Sequence, residues 1–431
     1  MDHFLFAGYL ILFAWLVTKV RFFTNSGLTP AQLIIFFLLK VMAGIFYGWI
    51  GVYYGELAQM VDTWAYHYES LKEYQLLTSD PTAFFSNFFR SSYEEGYGGF
   101  LASENSWWND LKGSSLLKML AFFNLLSFGS YYINVIFYSF ITLFGPLAFY
   151  RIMKDIFPFN RTPILLATFL IPSFLYWTSG IHKDGTIFVG IALVCYIIYF
   201  GLKNNSLSFY KILLLLGGLI LILALRNFLL ITILPALIAW IVAAKTRYKP
   251  LSVFIALYLL FGIIFFSAKY IYPELDLPKA VSEKQSAFLK LHGGSSVDVH
   301  ILKPTLPGFI QNAPQAFALS SLRPFPSDVR HLLSLAAAVE INLLLILFLI
   351  FLILRKRLRY SNPFLLFCFF FSLSVLMMIG YSVNFLGAIV RYRSIVLPLV
   401  IIPIVANIDW NKILNMGFYN IKKNNHINIS S

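Results

Sequence analysis

The sequence predicts an all-α fold, a polytopic transmembrane helical bundle, and three observations carry that prediction. Of 431 residues, 59% are hydrophobic and only 12% are charged, with a mean hydropathy of +0.75. Soluble globular domains do not have that composition. Apolar runs long enough to cross about 30 Å of hydrocarbon recur along the chain. Basic residues gather in the segments after every second run, the charge bias that orients membrane helices.

Taken in order, the runs fall at about 4–20, 31–54, 131–150, 163–180, 186–202, 209–225, 228–244, 251–271, 332–354, 363–381 and 394–408, or about 11 spans. The first lacks a basic start and a small-residue cleavage site, which predicts a retained span and not a leader peptide. Lys19 and Arg21 follow the first run, and Arg151, Lys154 and Arg161 follow the third. Lys203 follows the fifth, and Lys245, Arg247 and Lys249 follow the seventh. Arg355, Lys356, Arg357 and Arg359 follow the ninth, and Lys412, Lys422 and Lys423 lie beyond the eleventh. Positive charge at these ends places them in the cytoplasm, with the N-terminus outside and the C-terminus inside. The organisation expected is a single integral membrane domain over 1–410 and a short basic cytoplasmic tail over 411–431.

Two long segments, about 55–130 and 272–331, are then left on the outer face. Both are short for independent domains, so re-entrant or amphipathic helices are expected there, with Leu116–Phe128 as one such interfacial helix. Trp107 and Trp108 suit a membrane interface. No internal repeat appears, which removes support for an inverted-repeat transporter.

The net charge of +14 is explained by topology and does not call for a nucleic-acid partner. Cys195 and Cys368 both lie inside apolar runs and imply neither a disulfide framework nor a metal site. The histidines show no metal-ligand spacing, so no metal or cofactor is expected; a divalent cation near Asp62 has no ligand pattern behind it. Nucleotide-binding loops, dinucleotide fingerprints and hydrolase motifs are absent from the sequence.

Chemistry concentrates at the outer ends of the runs. Asp62 follows the second run by about eight residues, within VDTWAYHYES, and Trp64, Tyr66, His67 and Glu69 surround it. In a helix, Asp62, Tyr66 and Glu69 share a face by their spacing of four and three. Asp62 reads equally as a helix N-cap in solvent. His182, Lys183 and Asp184 lie in a loop too short to leave the interface, and Arg226 lies in a tight turn between the sixth and seventh runs. Arg323 precedes the ninth run, and Arg391 and Arg393 precede the last. Cations on this side run against the charge bias. Each alone suits a lipid headgroup or a snorkelling side chain; together they suit a bound phosphate. Glu340, on the order of 12 Å into its span, is expected to face the bundle interior and tie helices together. Intramembrane charge otherwise looks sparse.

The acid after an early span (Asp62), the Ser-Gly-x-x-Lys-Asp loop (Ser179, Gly180, Lys183, Asp184) and the Arg-Tyr-Arg before a Pro-containing final span (Arg391, Tyr392, Arg393, Pro398) resemble the polytopic envelope glycosyltransferases of GT-C architecture and the related polysaccharide polymerases. The resemblance covers most of residues 30–405. In GT-C enzymes the acid follows the first span, whereas here it follows the second.

That resemblance implies transfer of a sugar from a polyprenyl-phosphate-linked donor to a glycan or lipid acceptor, at the outer face of a bacterial cytoplasmic membrane. Asp62 would be the general base. Lys183, Arg391 and Arg393 would hold the leaving phosphate, with Arg226 and Arg323 serving it or an acceptor's phosphate. Trp64, Tyr66, His67, Glu69, His182 and Asp184 would complete the substrate site. The alternatives are an O-antigen or exopolysaccharide repeat-unit polymerase, which needs no base, and a flippase or transporter of an anionic glycolipid. Scarce intramembrane charge counts against transport.

Overall fold

The computed structural model describes residues 2–53, 62–87, 93, 96–98, 105–356 and 362–413. Most of the basic tail, including Lys422 and Lys423, lies outside the described residues, as do Arg357, Arg359 and Ser361 and much of the acidic stretch 88–104.

The helices in chain order are α1 (Asp2–Leu16), α2 (Arg21–Thr24), α3 (Pro30–Tyr53), α4 (Asp62–Ser79), α5 (Pro81–Ser86), α6 (Trp107–Ser127), α7 (Tyr131–Thr142), α8 (Phe144–Ile156), α9 (Arg161–Phe169) and α10 (Pro172–Ser179). They continue with α11 (Lys183–Asn204), α12 (Phe209–Leu225), α13 (Asn227–Lys245), α14 (Pro250–Ile271), α15 (Leu277–Leu289), α16 (Leu306–Leu322), α17 (Leu332–Leu354), α18 (Pro363–Ser382), α19 (Leu386–Ser394) and α20 (Leu397–Asn407). Among the described residues there is no strand beyond isolated bridges. The chain is an all-helical membrane protein, with 7 helices long and apolar enough to cross a bilayer and up to 9 when each of two bent pairs counts as one span. The runs at about 4–20 and 209–225 fall on shorter apolar helices, α1 and α12.

The two bent pairs position the site. Helices α9 and α10 meet at 49°, and α19 and α20 meet at 62°. Pro172 starts α10, where its missing N–H costs nothing. The pairs pack on one another, α9 against α20 and α10 against α19.

A broken span leaves backbone groups unpaired in an apolar setting, and these must be satisfied. At the start of α10, Ser173 N–H donates to the buried Glu340 Oε1 of α17 over 3.0 Å. At its end, the buried Lys40 ammonium of α3 donates to Thr178 O over 3.1 Å and to Ser179 Oγ over 3.2 Å. An acceptor thus meets the N–H end of the helix, and a donor meets its carbonyl end. Glu340 does tie helices together, as expected. Lys40 is a correction: charge inside the long apolar helices is not nearly limited to Glu340, because Lys40 is fully buried midway along α3.

At the end of the bundle remote from the site, basic side chains tie chain turns together. Lys154 Nζ donates to Ser26 O over 2.9 Å, and Lys203 pairs with Asp155 at 2.7 Å.

Candidate functional site

The site begins with a glycine. Gly180 follows α10 directly against Tyr47, where a Cβ would come within 2.2 Å of the ring, so only glycine permits this approach. The chain then turns at His182, whose Nδ1 accepts the Lys183 N–H over 2.8 Å and caps α11. His182 Nδ1 also lies 3.1 Å from Asp184 Oδ2, while Nε2 contacts Arg391 Nη2 and lies 3.7 Å from Asp62 Oδ2. Gly185 allows the next turn to close on Thr178 O, which a Cβ would approach to 2.4 Å.

Asp184 is completely buried and balances two arginines from distant parts of the chain. Arg391 Nε donates to Asp184 Oδ2 over 2.8 Å. Arg226 Nη2 lies 2.8 Å from Asp184 Oδ1 as a close ion pair, without hydrogen-bond alignment. Arg226 reaches this point because the break between α12 and α13 is one residue long, and its guanidinium lies over the Tyr392 ring at 4.3 Å. A buried carboxylate is tolerable only with such partners.

Arg391 is the hub. Besides Asp184, its Nη1 donates to Asp62 Oδ2 over 3.2 Å, its Nη2 lies 2.8 Å from His182 Nδ1, and its guanidinium lies 5.5 Å from the Trp177 ring centre. Asp62 opens α4 at the edge of the bundle. Thr63 fixes that start by donating to Ile181 O over 3.0 Å, and the Trp64 indole donates to Gly48 O over 2.8 Å. The Asp62 side chain stays 55% exposed. Its carboxyl is held well below the usual carboxylate range, chiefly by the His182 imidazole and further by the Arg391 charge, against the opposing effect of burial. Burial and Arg391 lower the basicity of His182, which keeps it neutral at pH 7.

Two cavities meet at this hub, sharing Asp62, Phe288 and Arg391. The larger, about 810 Å³, runs between α3, α10 and α17 past Phe46, Leu175, Leu333 and Ala337 to Glu340. Its walls are mainly apolar. The smaller, about 320 Å³, is lined by Lys112, Lys183, Arg226 and Lys284 together with Tyr66 and Tyr392. Lys183 Nζ lies over the Tyr66 ring at 4.9 Å.

The residues singled out in the sequence divide accordingly. Asp62, Tyr66, His182, Lys183, Asp184, Arg226 and Arg391 come together. Trp64 and His67 point into packing: Trp64 stacks on Tyr131 at 4.1 Å, and the buried His67 meets the same ring edge-on at 5.4 Å. Burial lowers the His67 pKa to about 4. Glu69 shares the helix with Asp62 but is half-exposed and pairs with Lys72 at 2.6 Å, away from both cavities. Arg323 is neutralised by Asp328, with Nε 2.9 Å from Oδ2. Arg393 is buried and donates to Ser320 O and Arg323 O, closing the end of α16. Neither of these last two arginines reaches the hub.

Lys112, Lys284, Trp177 and Tyr47 join the site without having been singled out. Lys112 and Lys284 belong to the two long segments between spans, and their sequence context carries no signal for convergence. Among the described residues, no group of three or more His, Cys, Asp or Glu side chains gathers as a metal site. No family model, curated protein or solved structure matches the chain.

Proposed function

We propose that the protein is a membrane-embedded glycosyltransferase, of the bacterial cytoplasmic membrane, that uses a polyprenyl-phosphate-linked sugar at its outer face. The observation that carries this reading is the junction itself: an apolar cavity between spans and a cationic cavity that meet at Asp62 and Arg391. An isoprenoid tail fits the first, which buries apolar surface, while a phosphate at the junction meets Arg391 and Lys183.

The acceptor hydroxyl attacks the anomeric carbon, the bond from that carbon to the phosphate oxygen breaks, and the phosphate leaves with the electron pair. Arg391 and Lys183 stabilise the departing charge. Asp62 takes the acceptor's proton. In the resting arrangement Asp62 is a weak base, because His182 and Arg391 hold it ionised. A phosphate that draws the Arg391 guanidinium away would release that hold and raise its basicity. Lys40 is bound to the end of α10 and lines neither cavity, which argues against a role in transport.

One observation favours a second reading. Asp62 is clamped into its ionised form by His182 and Arg391; if its role is to orient Arg391, the arginines act alone, as in a repeat-unit polymerase. Turnover of a lipid-linked donor by reconstituted protein separates the two. With Asp62 as base, Asp62→Asn lowers turnover by roughly 10²–10⁴-fold with donor binding retained, and Glu69→Gln behaves as wild type. Full activity in Asp62→Asn removes the base and moves the assignment to the arginine-based polymerase.

A further inference from the structure

The smaller cavity holds more positive charge than one phosphate needs. Lys112, Lys183, Arg226, Lys284 and Arg391 line it. Asp184 and Asp62 are the carboxylates that pair with these cations, which leaves an excess of three. Among the described residues, Lys112, Lys183 and Lys284 have no carboxylate within ion-pair distance. Lys112 donates to Asn109 Oδ1 over 3.0 Å, and Lys284 lies over the Phe288 ring at 5.5 Å. Cations gathered without counter-charge repel one another, and burial with the neighbouring cations Lys284, Arg226 and Arg391 lowers the Lys112 pKa to about 8. Such an arrangement is stabilised when an anion enters. The two lysines arrive on α6 and α15, from the two separate segments that flank the cavity.

Building on the transferase reading above, we propose that this cavity binds two phosphoryl groups, the first at Arg391 and Lys183 and the second at Lys112 and Lys284. The second group is either the outer phosphate of a polyprenyl diphosphate or the phosphate of a separate lipid-linked acceptor. Both present the same chemistry to the lysines.

The test uses full-length protein in nanodiscs of zwitterionic lipid, with farnesyl monophosphate and farnesyl diphosphate as probes and with binding and stoichiometry read by calorimetry. A single diphosphate bound at least roughly tenfold tighter than monophosphate identifies a diphosphate lipid. Two monophosphates per protein identify two lipids. In either case Lys112→Gln with Lys284→Gln removes the second phosphate's contribution, while the first monophosphate still binds as in wild type. Should the double variant bind both probes like wild type, the second subsite is wrong and the transferase reading stands. Loss of the diphosphate preference in nanodiscs containing phosphatidylglycerol would make the lysines a headgroup contact and overturn the proposal. If neither probe binds wild type, the transferase reading fails and this inference fails with it.

Discussion

Replacing Asp184 by Asn isolates the electrostatics on which the site rests. The substitution keeps shape but removes the charge that balances Arg226 and Arg391, each at 2.8 Å. Asp184 is fully buried and the Arg226 side chain is 9% exposed, so solvent cannot replace the lost partner. Leaving a buried charge unpaired costs about 3–5 kcal/mol. Arg391 keeps Asp62 and His182, so the lower figure, about 3 kcal/mol, applies. For domains of moderate size each kcal/mol moves the midpoint by about 2–4 °C, so a fall of several degrees is expected in thermal unfolding followed by tryptophan fluorescence in detergent. Arg226→Gln in the same chain removes the orphaned cation, and the double variant should recover part of the loss as a favourable coupling. If Asp184→Asn unfolds with wild type, or if the two losses simply add, the carboxylate does not hold the arginines together.

Further expectations follow from other parts of the fold. His67 has a folded pKa of about 4, below its ordinary value, because of burial. The unfolded state therefore binds the proton first, and this contribution to stability is complete above about pH 6.5 and lost as pH falls toward 4; His67→Phe should flatten denaturation midpoints over that window. The orientation predicts that Ser296→Cys, exposed beside the larger cavity, reacts with an impermeant maleimide from outside, and that Ser206→Cys, exposed at the opposite end, reacts only from the cytoplasm. Cys195 and Cys368 are buried and should stay silent; the reverse labelling pattern would invert the topology and place the site in the cytoplasm.

Much of the fold was legible because hydrophobic length is a one-dimensional property. The apolar runs lie on apolar helices, some of them split or bent, and the tight break at Arg226 is a single residue. The bends were not legible. Residues 163–180 read as one apolar run, and the break follows from Pro172 and from Glu340 and Lys40, which lie far away in sequence and satisfy the ends of α10. Arg391 lies on α19, the first helix of a bent pair, and that position is what brings it to Asp184.

The site was half legible for a related reason. His182, Lys183 and Asp184 are adjacent in sequence, so a short loop announces them. Arg393 sits two residues from Arg391 but points the other way round the helix, into the end of α16; periodicity gives that separation, yet only packing says which residue faces the cavity. Lys112 and Lys284 lie on helices whose starts are set locally by the Ser106 and Asp276 caps, but nothing local says that the two helices meet at one cavity.

The most direct test of the junction is photo-crosslinking of reconstituted protein with a polyprenyl phosphate that carries a diazirine in its first isoprene units, followed by mass spectrometry. The account predicts adducts on Leu175, Leu333 or Ala337, which wall the larger cavity, and their loss when Arg391 is changed to Gln. Adducts confined to the exposed face of α14, at Leu259 or Ile263, and unchanged by Arg391→Gln would show lipid contact without a site and contradict it.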